Sequence, residues 1–224
     1  MKENYLLEIA CFEITSAEIA LKTPANRIEF CREQVLGGLT PNIDEFRYLK
    51  SIYSKPIYVM IRPSAGSFLY SDREFHTMKE NLIEFKNSGA DGFVFGILTD
   101  GDRVDLKRNS ELIELASGTP CTFHRAFDWT PDLDTSCQEL IDLGFKTVLT
   151  SGGQETAVKG KDEIKKLVEK YHSKIEILIG GGVRSTNIQE LKKYTGAKSF
   201  HSSAIPPYES YANEEEIKRL LNFL

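Results

Sequence analysis

The 224 residues contain no apolar run near the roughly 18 needed to cross a bilayer, so no membrane-spanning helix is expected. Basic charge is not in excess. With 28 Lys and Arg against 33 Asp and Glu, the formal net charge is -5, which argues against non-specific nucleic-acid binding but leaves room for a local basic pocket. Cysteine is scarce, and Cys11, Cys31, Cys121 and Cys137 fit neither C-x-x-C nor zinc-ribbon spacing. Spacing alone therefore reads them as buried free thiols in a reducing compartment. No Pro-, Gly- or Ser-rich stretch divides the chain, so a single domain over residues 1–224 is expected. The start, Met1-Lys2-Glu3-Asn4-Tyr5, has no signal-peptide core, and a cytoplasmic location is the expectation.

What is present is alternation. Short aliphatic or β-branched runs predict strands near 5–11, 26–30, 56–62, 91–96, 119–124, 146–150, 175–179 and 197–202, each followed by a helical pattern. Capping-box spacing at Thr15/Glu18, Ser71/Glu74 and Thr186/Gln189 predicts helix starts, as do Asn42/Glu45, Asn213/Glu216 and Thr130 with Pro131. Gly89, Gly144 and Gly196 stand where left-handed C-terminal caps belong. Eight strand–helix units predict a parallel sheet closed into a (β/α)8 TIM barrel; a flavodoxin-like or Rossmann sheet would use only five or six of them.

Strand parity then sorts side chains. Packing Leu7, Ile9, Ile28, Phe30, Phe123 and Phe200 against helices turns Glu8, Glu29, Arg62, His124 and His201 into the barrel. Two carboxylates on neighbouring strands need Arg62, a protonated histidine or a bound cation to neutralise them. The heptapeptide Thr122-Phe123-His124-Arg125-Ala126-Phe127-Asp128 ends a strand in groups that carry protons or charge, and Asp128 could orient His124 or Arg125. Glycine-rich turns follow the later strands: Ser151-Gly152, Gly181-Gly182 with Arg184, and His201-Ser202-Ser203. Together with Arg125 they form a candidate anion seat of the kind barrels build after their last strands. The long loop from Arg62 to Asp72 carries aromatics that could cover the mouth, and Ile205 to Tyr211 could cap the barrel or meet a second copy of the chain.

Taken together, Leu7-Glu8-Ile9-Ala10-Cys11, Arg27-Ile28-Glu29-Phe30-Cys31, Gly37-Gly38-Leu39-Thr40-Pro41, the heptapeptide and His201-Ser202-Ser203-Ala204 resemble the CutC copper-homeostasis family. The resemblance implies a cytoplasmic TIM barrel with a role in copper handling. It also implies copper, as Cu(I), on Cys11 and Cys31, whose soft thiolates suit that ion. Parity sets Cys11 on the face opposite Glu8 and Cys31 on the face of Glu29. After Arg62-Pro63 the family's usual Arg-Gly-Gly-Asp-Phe is replaced by Ser64-Ala65-Gly66-Ser67-Phe68. Two functions follow as expectations. One is a copper-binding or copper-trafficking protein. The other is a barrel enzyme using Glu8, Glu29 or His124 as acid or base, with Arg62 steadying developing negative charge and the anion seat holding a small metabolite, phosphorylated or not.

Overall fold

The computed structural model describes residues 5–224, so the first four residues of the start read above lie outside the described residues. Eight parallel strands close into one barrel: β1 (Leu6–Cys11), β2 (Arg27–Phe30), β3 (Ile57–Met60), β4 (Gly92–Phe95), β5 (Cys121–Phe123), β6 (Thr147–Thr150), β7 (Glu176–Ile179) and β8 (Ser199–Ser202). Around it run α1 (Ile14–Lys22), α2 (Ile43–Ile52), α3 (Asp72–Asn87), α4 (Leu106–Ala116), α5 (Leu133–Leu143), α6 (Lys161–Tyr171), α7 (Ile188–Thr195) and α8 (Glu214–Asn222). The expected TIM barrel is the observed fold. Among the described residues no helix is long and apolar enough to cross a membrane.

The outward-facing strand residues Leu7, Ile9, Ile28, Phe30, Phe123 and Phe200 are fully buried in one layer with the helices' apolar stripes. That layer fixes strand rotation, because a one-residue slip would turn every one of these side chains into the polar interior. The strands are shorter than predicted. β3 ends at Met60 and β5 at Phe123, so Arg62 and His124 lie just past them. Ladder bonds continue nonetheless, from Ile61 N to Val94 O and from His124 N to Phe95 O, and these hold both side chains on course.

Several helix starts differ from expectation. Glu13, not Thr15, caps α1 by accepting from Thr15 N and Ser16 N. Thr130 and Pro131 do not open α5: a five-residue 3-10 turn, Arg125–Trp129, consumes the heptapeptide, and Asp132 caps the helix instead. Asn187 rather than Thr186 precedes α7, with its side chain turned back to Arg184 N. Ser71/Glu74, Asn42 and Asn213 cap as expected. Beyond β8, Ile205 is buried and Tyr208 fully exposed, and Ala212 N donates to Ser16 Oγ to return the chain to α1.

Candidate functional site

Register explains why the charged residues meet. Glu8 on β1 lies directly opposite Arg27 on β2 and His201 on β8, and Ala10 lies opposite Glu29. Arg27 Nε donates to Glu8 Oε2, its Nη2 reaches Glu176 Oε1 at 3.1 Å, and its guanidinium stacks 4.3 Å from the Tyr58 ring centroid. His201 Nε2 sits 2.8 Å from Glu29 Oε2 and 3.7 Å from Glu8 Oε1. Burial by itself would push the His201 imidazole down, but the hydrogen bond and charge of Glu29, with Glu8 behind it, outweigh burial and raise its pKa. The Glu29 contact thus favours the charged form of His201, and Arg27 answers Glu8. Arg27, which sequence reading passed over, is the missing half of this network. Its parity with Glu29 was visible, but its register against Glu8 was not.

Above this layer a cavity of about 230 Å³ opens at the C-terminal ends of the strands, where barrels carry their chemistry. Glu29, Arg62, His124 and His201 line it together with Arg125, Gly181, Gly182, Arg184, Ser202, Ser203 and Phe68. Glu8 does not; it lies one layer below. A larger, shallower hollow at the opposite end, around Tyr5, Lys146, Lys174 and Lys192, lies at the face that barrels use for stability.

The mouth divides into distinct chemistries. Arg62 is held in place by the carbonyls of Leu36 and Gly38 at 2.8 and 3.0 Å and of Gly66 at 3.2 Å. Phe68, from the long loop after β3, packs on both Arg62 and His124, with distances of 4.9 Å to the guanidinium carbon and 4.8 Å between ring centroids. On the far side Arg184 Nη1 and Nη2 donate to Ser202 Oγ and Ser203 Oγ at 3.2 and 3.0 Å. Gly181 and Gly182 both sit at positive φ beside it. Among the described residues their N–H groups donate to no protein acceptor, the arrangement an anion seat requires.

Asp128 orients Arg125, not His124. It accepts from Arg125 Nε at 2.8 Å, Thr150 Oγ1 at 2.6 Å and the N–H groups of Ser151 and Gly153 at 3.0 Å. Ser151 is fully buried in that staple, and Gly152 N donates inward to Thr150 Oγ1. Neither lines the cavity, in contrast to their expected place in the anion seat. Gly152 is glycine for packing, since a Cβ there would lie 2.3 Å from Gly160 O.

His124 is nearly sealed. Ala126 N donates to its Nδ1 at 3.2 Å, and Gly96 clears space for the ring, a Cβ at that position falling 2.8 Å from Nδ1. Burial, reinforced by the Arg62 charge, takes its pKa from the ordinary 6.5 down to about 3. The unfolded chain thus binds this proton near pH 6.5 and the folded chain only near 3, so the stability it contributes is complete above 6.5 and lost as pH falls towards 3. His201 has the opposite sign, favouring the fold at low pH and losing that contribution as pH rises through its raised value. Replacing His124 by Gln should flatten the acid limb of urea midpoints measured from pH 6.5 to 4; an unaltered limb would contradict this assignment.

Two donor sets bear on metals. Glu8, Glu29 and His201 offer ligand atoms within 4.8 Å of one another, an O,O,N set suited to borderline or hard divalent ions more than to Cu(I). The soft pair is split as parity required: Cys11 packs in the outer layer and Cys31 in an inner cluster with Tyr58, Met60 and Val94. Cys31 Sγ approaches Cys11 O at 3.3 Å, whereas Cys11 Sγ turns to Ile9 O at 3.5 Å. Burial pushes both thiols well above their ordinary range, and the nearby carboxylates add to it, so neither is a thiolate at neutral pH.

A closed (β/α)8 barrel with a polar, cation-flanked cavity at the C-terminal ends of its strands defines the class of protein. A profile of the CutC family matches residues 5–206, and the chain belongs to that family. It is 40% identical over 201 residues to a human protein named copper homeostasis protein cutC homolog, covering 90% of this chain and 74% of the human one. A CutC family protein from Treponema denticola is 40% identical over 203 residues, covering 91% and 82%. The crystal structure of CutC from Streptococcus agalactiae superposes with a TM-score of 0.84 at 33% identity, covering 89% of this chain and 98% of that one.

Proposed function

We propose that this CutC-family protein binds a small, phosphorylated metabolite at the mouth of its barrel and performs proton-transfer chemistry on it in the cytoplasm. The observation that supports this most is the meeting, in one cavity, of the Arg184–Ser202–Ser203 seat with the Glu29–His201 pair and the fixed charge of Arg62. A purely packing role would need none of these at strand ends, where buried charge is costly to keep. Arg184 and the Gly181–Gly182 N–H groups hold the anion, Arg125 flanks it, and the Glu29 carboxylate, aligned by His201, moves the proton. Titrating inorganic phosphate and small sugar phosphates by calorimetry tests the reading. Saturable binding should weaken about 10- to 100-fold in Arg184→Ala, the worth of a lost charge-assisted contact. Failure of every phosphorylated compound to bind would remove the proposal.

Copper handling is the second reading, favoured by the names of the relatives and by the Cys31 thiol lying against the Cys11 backbone. Cu(I) bound by Cys11 and Cys31 requires both thiols to lose their protons and Cys11 to turn inward. A competition titration of Cu(I) against a chelator decides it. Under this reading the Cys11→Ser, Cys31→Ser double variant loses its tight site, and an undiminished affinity excludes those ligands.

A further inference from the structure

The two histidines at the mouth are held by opposite kinds of partner, a backbone N–H at His124 and a carboxylate at His201, and the difference points to a kind of substrate. A neutral imidazole has one donor and one acceptor nitrogen. Because Ala126 N donates to His124 Nδ1, the ring proton belongs on Nε2. That Nε2 is buried and, among the described residues, has no acceptor, a costly condition for a donor unless a ligand completes it. Arg62, packed on the same Phe68 ring, disfavours a second proton on His124. His124 therefore cannot cycle as a base near neutral pH; it is a fixed neutral donor beside a fixed positive charge. Glu29 presents the complement. Its Oε2 is taken by His201, whereas its Oε1 is buried without a partner among the described residues, leaving one carboxylate oxygen to accept.

Resting on the proposed anionic metabolite, we infer that the substrate is a small phosphorylated α-hydroxycarbonyl compound whose carbonyl oxygen accepts from His124 Nε2–H beside Arg62. The phosphate occupies the Arg184–Ser202–Ser203 seat, and the carbon next to the carbonyl faces Glu29. Glu29 takes a proton from that carbon. The C–H electron pair becomes the C=C bond of an enolate, and the carbonyl π pair moves onto oxygen, where the imidazole N–H and the guanidinium charge stabilise it. The α-hydroxyl proton then passes to the neighbouring oxyanion, and Glu29 returns the proton it took to the former carbonyl carbon, so the carbonyl and hydroxyl exchange places with no co-reactant. A neutral imidazole suits this role because it strengthens its hydrogen bond as negative charge develops without surrendering its own proton. Glu29 is the catalytic base, Arg62 and His124 touch the developing oxyanion, and His201 is a positioning residue.

Calorimetry with three probes tests the inference: inorganic phosphate, glycerol 3-phosphate, and phosphoglycolohydroxamate, a planar mimic of the enolate. The hydroxamate should bind at least 10-fold tighter than glycerol 3-phosphate. His124→Phe should abolish that preference, His124→Gln (which keeps an N–H donor) should retain part of it, and Arg184→Ala should weaken both ligands alike. The ¹⁵N spectrum of the wild-type imidazole should show a bare Nδ1 and a protonated Nε2 at pH 7, a readout that survives if the Phe variant does not fold. Equal affinities in the wild type, a preference untouched by His124→Phe, or a proton on Nδ1 would each overturn the inference. If glycerol 3-phosphate and the hydroxamate bind equally but both depend on Arg184, the anion-binding reading stands and only this step falls. If no probe binds, both fall.

Discussion

Arg27→Ala should destabilise the protein by about 3–5 kcal/mol, the cost of leaving a buried charge without its partner. Glu8 is 1% exposed and Arg27 7%, so water cannot replace the lost guanidinium. The residue left behind faces Glu29 across His201, and removing the cation exposes the mutual repulsion of both carboxylates at once. The double variant Glu8→Gln, Arg27→Met should recover most of the loss, because replacing a buried pair with neutral groups of similar volume is often close to neutral. Urea denaturation of wild type, single and double variants reads this directly. A single variant within about 1 kcal/mol of wild type, the scale of exposed pairs, would show that the layer beneath the cavity is not held by charge pairing.

Gly160→Ala should be nearly as damaging, for a steric reason. A Cβ at that position would fall 1.9 Å from the Ser151 carbonyl oxygen and 3.0 Å from Gly152 Cα. Backbone meets backbone here, so no side chain can rotate away. The turn after β6 must open, and with it goes the Ser151–Asp128–Arg125 staple at the rim. Overpacking of this kind costs about 1–3 kcal/mol, and the cost should appear both in the urea midpoint and as weaker phosphate binding through the displaced Arg125. Unchanged stability would mean that the turn adapts freely.

Much of this was legible in the sequence, for reasons of period. Two-residue alternation in Leu7-Glu8-Ile9 and Ile28-Glu29-Phe30 fixes which side chains face the barrel once the apolar ones are given to the helices. Parity likewise separates Cys11 from Cys31, as the structure does. What parity cannot give is register across strands, which is why the pairing of Arg27 with Glu8 went unread. Local capping competed with irregular structure and lost at Thr130, because that residue closes the 3-10 turn Arg125–Trp129, its N–H and hydroxyl both donating to Phe127 O. Gly152 and Gly182 look alike in sequence, yet one serves a backbone crossing and the other lines the cavity; only the position of Gly160 distinguishes them. Phe68, which joins Arg62 to His124, carried no signal beyond its place in a long aromatic loop.

A crystal structure grown in millimolar phosphate bears most directly on the meeting of an anion seat and a proton-handling pair in one cavity. The expected density is a tetrahedral anion bridging Arg184, Ser203 and the N–H groups of Gly181 and Gly182, with the His201–Glu29 contact intact beside it. An unliganded seat with the anion bound elsewhere, or Glu29 and His201 turned away from each other, would contradict it.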